Sequence, residues 1–521
     1  MRVGVDVGGT NTDAVAIVER SVLGTVKSPT TPDVTTGIVT ALRSLVNEGT
    51  LVPAEVTSVM IGTTHFTNAV VEAKRLVPTA AVRLGLPATA ALPPLVDWPD
   101  RLRQAIGNHV YLCHGGHEFD GREISALDHD ELKRVASTTA ANGVRSMAIT
   151  SVFSPVNGEF EREAAEVIRS EVPDMVISLS QAIGRIGLLE RENATIMNAC
   201  LRPLAVRIVE AFQSALEELS IDAPLYISQN DGTLMNADYT KQYPVATFAS
   251  GPTNSMRGAA FLSDVSKAAV VDVGGTTADI GMLVSGFPRE ASVGVEIGGV
   301  RTNFRMPDVL SLGIGGGSLV QGEPGQIEVG PDSVGYDLLS RARVFGGDTL
   351  TATDVAVAAG MADIGDASLV EDLDSDLVRS AVGRIQQSVS DAVDRMKTSS
   401  DPVPLIVVGG GGVLLEDHLT CASVVIRPEH FPVANAVGAA IAQIGGETDR
   451  IYAIADGGRP AALDQAKEEA IHLAIEAGAD PTSVEIVEVE EVPLAYLPSN
   501  AIRIRVKAVG DLEHGRLREE P

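Results

Sequence analysis

Short apolar, β-branched segments recur along the chain, and two of them lead into the same turn. VGV precedes DVGGTNTD at Asp6–Asp13, and AAVV precedes DVGGTTAD at Asp272–Asp279. A further apolar run, AVAIV or IGMLV, follows each copy. Apolar runs on both sides of a glycine pair predict a hairpin of two strands. Six of the eight positions are identical, so we expect two similar lobes that present this turn to one shared ligand.

The remaining pattern predicts an α/β protein with three regions. Residues 1–180 carry the first turn, a helix over 35–47 and an α/β segment. Residues 181–445 carry a long helical pattern, the second turn and a buried strand that runs into four glycines. Residues 446–521 read as a small β-α-β-β module, which we expect to pack against the second lobe or a partner subunit.

The repeated turn has the chemistry of an anion site. Adjacent glycines leave no Cβ in the way of a ligand, and successive backbone N–H groups form an anion-binding nest. The turns lack both GxxxxGK[ST] and a GxGxxG that opens a helix, which disfavours a P-loop or a dinucleotide site. A pair of ordinary hairpin turns is the alternative. The residues predicted to bind a nucleotide are Gly8, Gly9, Thr10, Asn11 and Thr12 in the first copy, and Gly274, Gly275, Thr276 and Thr277 in the second.

Two further glycine segments support a nucleotide as the ligand. PLIVVGGGGVL is a short apolar strand followed by glycines, and LGIGGGSLV combines a tight turn with close backbone approach. A glycine backbone can lie flat against a planar ring or a phosphate, although a flexible turn is the alternative. The residues expected at the nucleotide are Gly409, Gly410 and Gly411 in the first segment and Gly315 and Gly316 in the second.

Four aspartates flank the two turns. Asp6 and Asp272 end their strands, where carboxylates are suited to hold Mg²⁺ through water. Asp13 and Asp279 follow each turn in the same register. We take all four as candidate catalytic residues, and hydrogen-bonded turn structure is an equal alternative for Asp13 and Asp279.

The charge balance excludes some partners. Lys+Arg 40 against Asp+Glu 69 gives a net charge of −29, which argues against nucleic acid or an anionic membrane as a partner. The three cysteines are widely spaced and predict neither a disulfide framework nor a zinc site. The chain has no apolar run of transmembrane length, and MRVGVDVGGT enters a strand directly, so we expect a cytoplasmic protein without a signal peptide.

The order of the glycine motifs resembles the actin-like ATPase superfamily. Five further segments resemble the hydantoinase A / 5-oxoprolinase family, and the length is similar to that of its short branch. The segments are GTTHFTNAVVEAK (62–74), GGHEFDGREISALD (115–128), ERENATIMNACLRP (190–203), ISQNDGTLM (227–235) and FASGPTNSMRGAAFL (248–262). The chain departs from the family at Asn11, where phenylalanine is common, and at Asn230 and Thr233, where the family has SDGG.

This resemblance implies two actin-like (ribonuclease H-like) lobes around a nucleotide cleft, plus the small C-terminal α+β module. It implies that ATP and Mg²⁺ are used to phosphorylate a cyclic amide such as a hydantoin, a lactam or an oxoproline-like ring. A separate B-type subunit would then act on the activated ring. A small-molecule kinase and a non-enzymatic ATP-driven switch are the alternatives, and a homo-oligomer is left open.

Polar residues inside the family segments are candidate substrate ligands. They are Thr64, His65, Asn68, His117, Asn230 and Asp231. A histidine satisfied within the fold is the alternative for His65, and a turn is the alternative for the NDGT segment. His114 and His117, with Glu118 and Asp120, also have a spacing that suits a metal, a turn or substrate contacts.

Overall fold

The protein is a mixed α/β molecule with several sheets, described by a computed structural model. The structure describes residues 1–8, 11–29, 34–291, 294–304, 306–323, 326–452, 454, 458–494 and 501–512. Over these ranges, no helix combines the length and the apolar character that a membrane span requires.

The first half of the chain alternates strands and helices. Its elements are β1 (Arg2–Val7), β2 (Asn11–Val18), β3 (Ser21–Pro29), α1 (Val34–Asn47), β4 (Ser58–Thr63), α2 (His65–Val71), β5 (Thr79–Leu86), α3 (Asp100–Ile106), β6 (His109–His114), α4 (His129–Ala141), β7 (Ser146–Ser151), α5 (Glu159–Glu171), β8 (Val176–Leu179), α6 (Leu188–Glu218), β9 (Leu225–Ser228), β10 (Thr233–Asn236), α7 (Ala237–Gln242) and α8 (Ser250–Ser263).

The second half is richer in strands. Its elements are β11 (Ala269–Val273), β12 (Ala278–Val284), β13 (Phe287–Pro288), β14 (Val295–Ile297), β15 (Val300–Thr302), β16 (Val309–Leu312), β17 (Ser318–Gln321), β18 (Glu328–Ser333), α9 (Leu338–Arg341), α10 (Ala352–Ala358), α11 (Ser375–Met396), β19 (Val403–Val408), β20 (Ala422–Ile426), α12 (Ala434–Ile441), β21 (Gln443–Tyr452), α13 (Arg459–Glu476), β22 (Glu485–Pro493) and β23 (Ile502–Gly510).

Two sheets repeat one topology and confirm the predicted pair of lobes. In the first, the order β3-β2-β1-β4-β9 joins an antiparallel three-stranded meander to two parallel strands. In the second, β16-β12-β11-β19-β20 follows the same order and the same directions. Each sheet has its own apolar core, built mainly from Val, Ile, Leu and Ala side chains.

A separate parallel sheet, in the order β6-β5-β7-β8, is inserted between β4 and β9. A buried ion pair fixes this sheet to helix α6. Arg83 of β5 donates two hydrogen bonds to Glu192, at 2.7 and 2.5 Å, and both side chains are almost fully buried. The inserted sheet therefore has a defined position relative to the first lobe.

The predicted C-terminal elements are present, but they lengthen the sheet of the first lobe, whereas we expected the module to pack against the second lobe or a partner subunit. β21 pairs with β10, β23 pairs with β21, and β22 forms the outer edge. This sheet therefore takes strands from all three predicted regions, and β21 crosses the predicted boundary between residues 445 and 446. Arg505 of β23 also forms an ion pair with Glu290, in the second lobe, at 2.8 Å.

Candidate functional site

The two repeated segments form hairpins of the same geometry. Asp6 and Asp13 lie directly opposite each other on β1 and β2, as Asp272 and Asp279 do on β11 and β12. The turns close in the same way: the Gly8 N–H donates to the Asn11 carbonyl at 3.0 Å, and the Gly274 N–H donates to the Thr277 carbonyl at 2.8 Å. Thr12 is buried, whereas Thr276 and Thr277 are exposed. The predicted ligands Gly9 and Thr10 lie outside the described residues.

The glycine loop after β16 is built onto the second turn. The Gly316 N–H donates to the Gly274 carbonyl at 3.0 Å, and the Gly317 N–H donates to the Gly275 carbonyl at 2.7 Å. A Cβ on Gly315 would lie 2.5 Å from the backbone nitrogen of Thr276, so this approach excludes any side chain. Two motifs that lie far apart in sequence thus form one backbone surface.

The glycine strand lies against the same turn. Gly409 follows β19 with a φ of +82°, and a Cβ on it would lie 2.2 Å from Asp272 Oδ1. A Cβ on Gly411 would lie 2.7 Å from the Gly274 carbonyl oxygen. Gly410 is exposed at this edge. The structure therefore brings together all three glycine motifs of the second lobe.

The four aspartates share one electrostatic environment. Burial, followed by the charge of Asp13, raises the pKa of Asp6 to about 6. Burial, followed by the charges of Asp279 and Asp6, raises the pKa of Asp272 to about 7. Burial also raises the pKa values of Asp13 and Asp279. Lys27, whose ammonium lies 2.7 Å from Asp13, has its Cε 4.0 Å from the Cβ position of Gly410, so the hairpins of the two lobes face a common cleft.

The donor set of this cleft suits Mg²⁺ and a polyphosphate. Asp6 Oδ1 and Asp13 Oδ1 are buried and have no hydrogen-bond partner among the described residues. Buried carboxylate oxygens without a partner are costly, and a hard cation with oxygen ligands removes that cost. Glycine at 315 and 409 lets these segments pack directly against the second turn and Asp272, because a Cβ there would lie 2.5 Å or less from their atoms.

The candidates Thr64, His65 and Asn68 lie at the rim of the first turn. Because β4 pairs with β1, Thr63 is opposite Val7, and Thr64 donates weakly to the Val7 carbonyl at 3.5 Å. Asn68 donates to the Thr64 hydroxyl at 3.3 Å. His65 Nδ1 lies 2.6 Å from the Thr63 hydroxyl, and burial lowers the pKa of His65 to about 4. His65 is therefore a neutral imidazole beside the cleft.

Asn230 and Asp231 line a separate cavity of about 1040 Å³. Its walls come from the inserted sheet region, from the turn between β9 and β10, and from β21 and β23. Among the described residues, none from the two aspartate turns lines it. The backbone of Asn230 is fixed at both ends, because its N–H donates to Ala246 at 2.7 Å and its carbonyl accepts from Thr253 at 2.9 Å.

The first turns of α8 link the Asn230 turn to the strand end beside the cleft. Thr253, which bonds Asn230, lies one helical turn after Ser250, whose hydroxyl donates to the Thr63 carbonyl at 3.4 Å. Asp231 forms an ion pair with Lys507 of β23 at 2.8 Å, and the lysine side chain is buried. Helix α8 therefore contacts both the Asn230 turn at the cavity and the end of β4 at the cleft.

His114, His117, Glu118 and Asp120 do not form the cluster that their spacing suggested. His117 is buried against Phe160, with ring centroids 4.4 Å apart, and its Nε2 lies 3.2 Å from the Asn157 amide nitrogen. Asp120 forms an ion pair with Arg122 at 2.7 Å. His114 lies instead with Asp128 and Glu131, whose ligand atoms are within 4.8 Å of one another. Asp128 is also the N-cap of α4, which gives that cluster a structural role.

Two residues at the cleft have no motif in the sequence. The Lys27 ammonium lies 2.7 Å from Asp13 Oδ2, because the pairing of β2 with β3 places Lys27 opposite Asp13. The Asn435 amide donates to Asp6 Oδ2 at 3.4 Å from the start of α12. The hairpin register was the one available signal for Lys27. Asn435 is distant in sequence, and the residues around Asp6 give no indication of it.

Two protein-family models match most of the part of the chain that contains these motifs. The model for the hydantoinase/oxoprolinase N-terminal region matches residues 2–172, and the hydantoinase/oxoprolinase model matches residues 191–364. The matched regions contain both aspartate turns, the glycine loop and the Asn230–Asp231 turn.

Individual relatives agree with these models. The chain is 28% identical over 391 residues to caprolactamase subunit alpha from Pseudomonas jessenii, covering 69% of this chain and 54% of the relative. It is 25% identical over 400 residues to the acetophenone carboxylase gamma subunit from Aromatoleum aromaticum, covering 68% of this chain and 52% of the relative. The chain thus spans about half the length of these two curated relatives.

A solved structure shows the same fold. The ATP-dependent caprolactamase from Pseudomonas jessenii superposes with a TM-score of 0.79 at 21% identity, covering 100% of this chain and 89% of that chain. The predicted fold is therefore confirmed by a solved relative and by the repeated strand order of the two lobes.

Proposed function

The chain belongs to the hydantoinase/oxoprolinase family, and we propose that it binds Mg²⁺-ATP between its two lobes to activate a cyclic amide. The observation that carries this proposal is the convergence of two aspartate hairpins and the glycine strand on one cleft. A caprolactamase, which is a relative described as ATP-dependent, supports a ring amide as the substrate class. The B-type subunit stays a prediction, supported by relatives that are named as subunits.

The chemistry follows from the poor reactivity of an amide. Resonance makes the carbonyl carbon a weak electrophile toward water. In the proposed reaction the amide oxygen attacks the terminal phosphorus of ATP, the bond to the bridging oxygen breaks, and ADP leaves. The product is an imidate phosphate, and water adds to its carbon. The C–N bond then breaks, which opens the ring and leaves an acyl phosphate with a free amine. A second water hydrolyses the acyl phosphate to a carboxylate and inorganic phosphate. Phosphoryl transfer of this kind depends chiefly on positioning and on neutralising charge.

Each part of the cleft has a proposed task. Asp6 and Asp272 would hold Mg²⁺ through water, and the metal would neutralise phosphate charge. The backbone of the second turn, the glycine loop and the glycine strand would hold the phosphate chain. Asp13 and Asp279, beside them, would orient metal-bound water. Neutral His65, with Thr64 and Asn68, would offer hydrogen bonds to the amide without adding charge.

We infer that the ring amide reaches the nucleotide from the cavity lined by Asn230. This cavity has the size of a small-molecule site, and hydrogen bonds from α8 join its Asn230 turn to Thr63 beside the cleft. The Asn230 side chain is partly exposed and makes no side-chain hydrogen bond within the described ranges, so its amide is available to a ligand. The paired charges Asp231 and Lys507 hold the turn in place behind it.

The test is ATP turnover with and without ring amides. We expect hydantoins or lactams, in the presence of the B-type subunit, to stimulate release of free phosphate together with ring opening. A stable phosphorylated product would instead identify a small-molecule kinase. If no cyclic amide changes the rate of ATP hydrolysis in the complete complex, the proposal is wrong.

Replacing Asn230 with leucine is expected to separate the two ligands. Because the native backbone bonds stay in place, the change removes only the amide group, and we expect the KM for the ring amide to rise about tenfold. The KM for ATP should stay within about twofold of the wild-type value. Steady-state kinetics measures both constants, with exposed Asn47→Leu at the end of α1 as the control. An equal rise in both KM values would show that the cavity has no specific role for the amide.

A further inference from the structure

Lys27 reaches from one lobe to the other. It lies on β3 of the first lobe, with its ammonium 2.7 Å from Asp13. Its Cε lies 4.0 Å from the position that a Cβ on Gly410 would occupy, and Gly410 belongs to the glycine strand of the second lobe. About a third of its side chain, 34%, is exposed, so Lys27 has room to change partner within the folded protein.

Lys27 also acts on aspartates of both lobes. Its positive charge lowers the pKa values of Asp6, Asp13 and Asp272, against the larger effect of burial. Among the described residues, it is the cation whose charge reaches both Asp6 and Asp272. A cleft with four carboxylates repels a polyphosphate, so a mobile cation at this point has a direct electrostatic use.

The position of Lys27 selects one end of the phosphate chain. The backbone of the second turn, the glycine loop and the glycine strand, which would hold the phosphate chain next to the nucleoside, all belong to the second lobe. The Lys27 ammonium lies on the first-lobe side of the cleft, 2.7 Å from Asp13. It therefore faces the end of the chain that is furthest from the nucleoside.

We propose that Lys27 recognises the terminal phosphate of a bound nucleoside triphosphate by exchanging its partner Asp13 for that phosphate. This inference rests on the proposed function in one respect only, that the ligand of the cleft is a nucleoside triphosphate. A diphosphate lacks the group that draws Lys27 away, so Lys27 stays paired with Asp13 when ADP is bound.

The exchange regulates Asp13. Asp13 Oδ1 has no hydrogen-bond partner among the described residues, and Oδ2 is held by Lys27. When Lys27 moves to the phosphate, both oxygens of Asp13 become available to metal-bound water. Asp13 is thus released when the triphosphate is present and is held when the diphosphate remains.

The test compares two nucleotides on matched variants. Calorimetry with Mg²⁺ measures the Kd of β,γ-imido-ATP and of ADP for the wild type, Lys27→Met and Lys27→Arg. We expect Lys27→Met to weaken the triphosphate analogue about tenfold to a hundredfold, the worth of a charge-assisted hydrogen bond, and to change ADP less than about threefold. Lys27→Arg should keep part of the preference. Lys133→Met, an exposed lysine on α4 with 51% of its side chain accessible, is the control.

Asp13→Asn supplies a second, opposite test. It removes the partner that competes for Lys27, so affinity for the triphosphate analogue should be kept or should rise by about twofold to fivefold. If Asp13→Asn weakens the analogue as much as Lys27→Met does, the pair is structural and the proposal is wrong. The proposal is also wrong if Lys27→Met weakens the binding of both nucleotides equally, or if it weakens the binding of neither. A wild type that binds neither nucleotide would instead overturn the proposed function. Circular dichroism establishes whether each variant is folded. If Lys27→Met does not fold, the affinities of Asp13→Asn and Lys27→Arg for the two nucleotides test the proposal.

Discussion

Replacing Asp6 with asparagine is expected to stop ATP turnover and, at the same time, to stabilise the nucleotide-free protein. Asp6 is 5% exposed, and its Oδ1 has no partner among the described residues. Asparagine has nearly the same shape but carries no charge, so it cannot replace the carboxylate as a ligand to metal-bound water. We expect the rate of ATP hydrolysis to fall about a hundredfold or more.

The gain in stability follows from the direction of the pKa shift. Burial and the charge of Asp13 raise the pKa of Asp6 from 3.8 to about 6. The folded protein therefore holds this proton more tightly than the unfolded chain does. The stability that this proton gives to the folded wild type is fully present below the unfolded pKa of Asp6. It is lost as the pH rises through the folded pKa. At about pH 8 the buried charge costs up to about 3 kcal/mol, so Asp6→Asn should raise the free energy of unfolding by about 1–3 kcal/mol.

Urea unfolding at about pH 8 and about pH 5, without nucleotide, measures this gain, which should shrink at the lower pH. Asp130→Asn on α4, where 83% of the side chain is accessible, is the control. It should change neither the free energy of unfolding nor the rate of ATP hydrolysis. Mg²⁺-ATP should raise the melting temperature of the wild type but not that of Asp6→Asn. An Asp6→Asn protein that is less stable at both pH values, or one that keeps wild-type turnover, would contradict the assignment.

The same carboxylates set a pH dependence for the wild type. The pKa values of Asp6 and Asp272, about 6 and about 7, describe groups that must be ionised to hold a cation. The fall in turnover on the acid side should therefore lie near these values rather than near those of ordinary aspartates. Lys27, Asp13 and Asp279 face these groups and set the position of that fall.

The parts of this site that sequence could predict are local ones. The turns at Asp6–Asp13 and Asp272–Asp279 are complete within eight residues, so their glycines, strands and aspartates can be read from one short segment. The strand before Gly409 is equally local, because an apolar run and the following glycines are adjacent. Repetition of the first pattern then indicated two lobes, which the repeated strand order bears out.

The parts that sequence could not predict depend on pairing between distant segments. Lys27 lies beside Asp13 because of the register of β2 and β3, and Asn435 reaches Asp6 from a distant part of the chain. β21 pairs with β10, which lies about 200 residues earlier in the chain, and no feature of either sequence predicts this pairing. His114 meets Asp128 and Glu131 because β6 runs beside α4, a contact that the spacing of His114 and His117 did not reveal.

Replacing Gly409 with alanine is expected to disrupt the cleft severely. The residue has a φ of +82°, which L side chains rarely adopt. The added Cβ would lie 2.2 Å from Asp272 Oδ1 and 2.5 Å from the Val273 carbonyl oxygen, so the glycine strand must move away from β11. We expect a loss of about 2–4 kcal/mol in the free energy of unfolding, from strain and from the clash. Because Asp272 and the second turn move with it, binding of ATP should become undetectable.

Gly383 provides the matched control, because it is exposed on α11 and a Cβ there meets nothing within 4 Å. Alanine at that position should leave ATP binding unchanged and should stabilise the protein by up to about 1 kcal/mol through helix propensity. Urea unfolding and calorimetry with ATP compare the two variants directly. Added methyl groups thus have opposite effects on stability at the two glycines. If Gly409→Ala binds ATP with wild-type affinity, the glycine strand does not support Asp272, and the nucleotide must lie elsewhere.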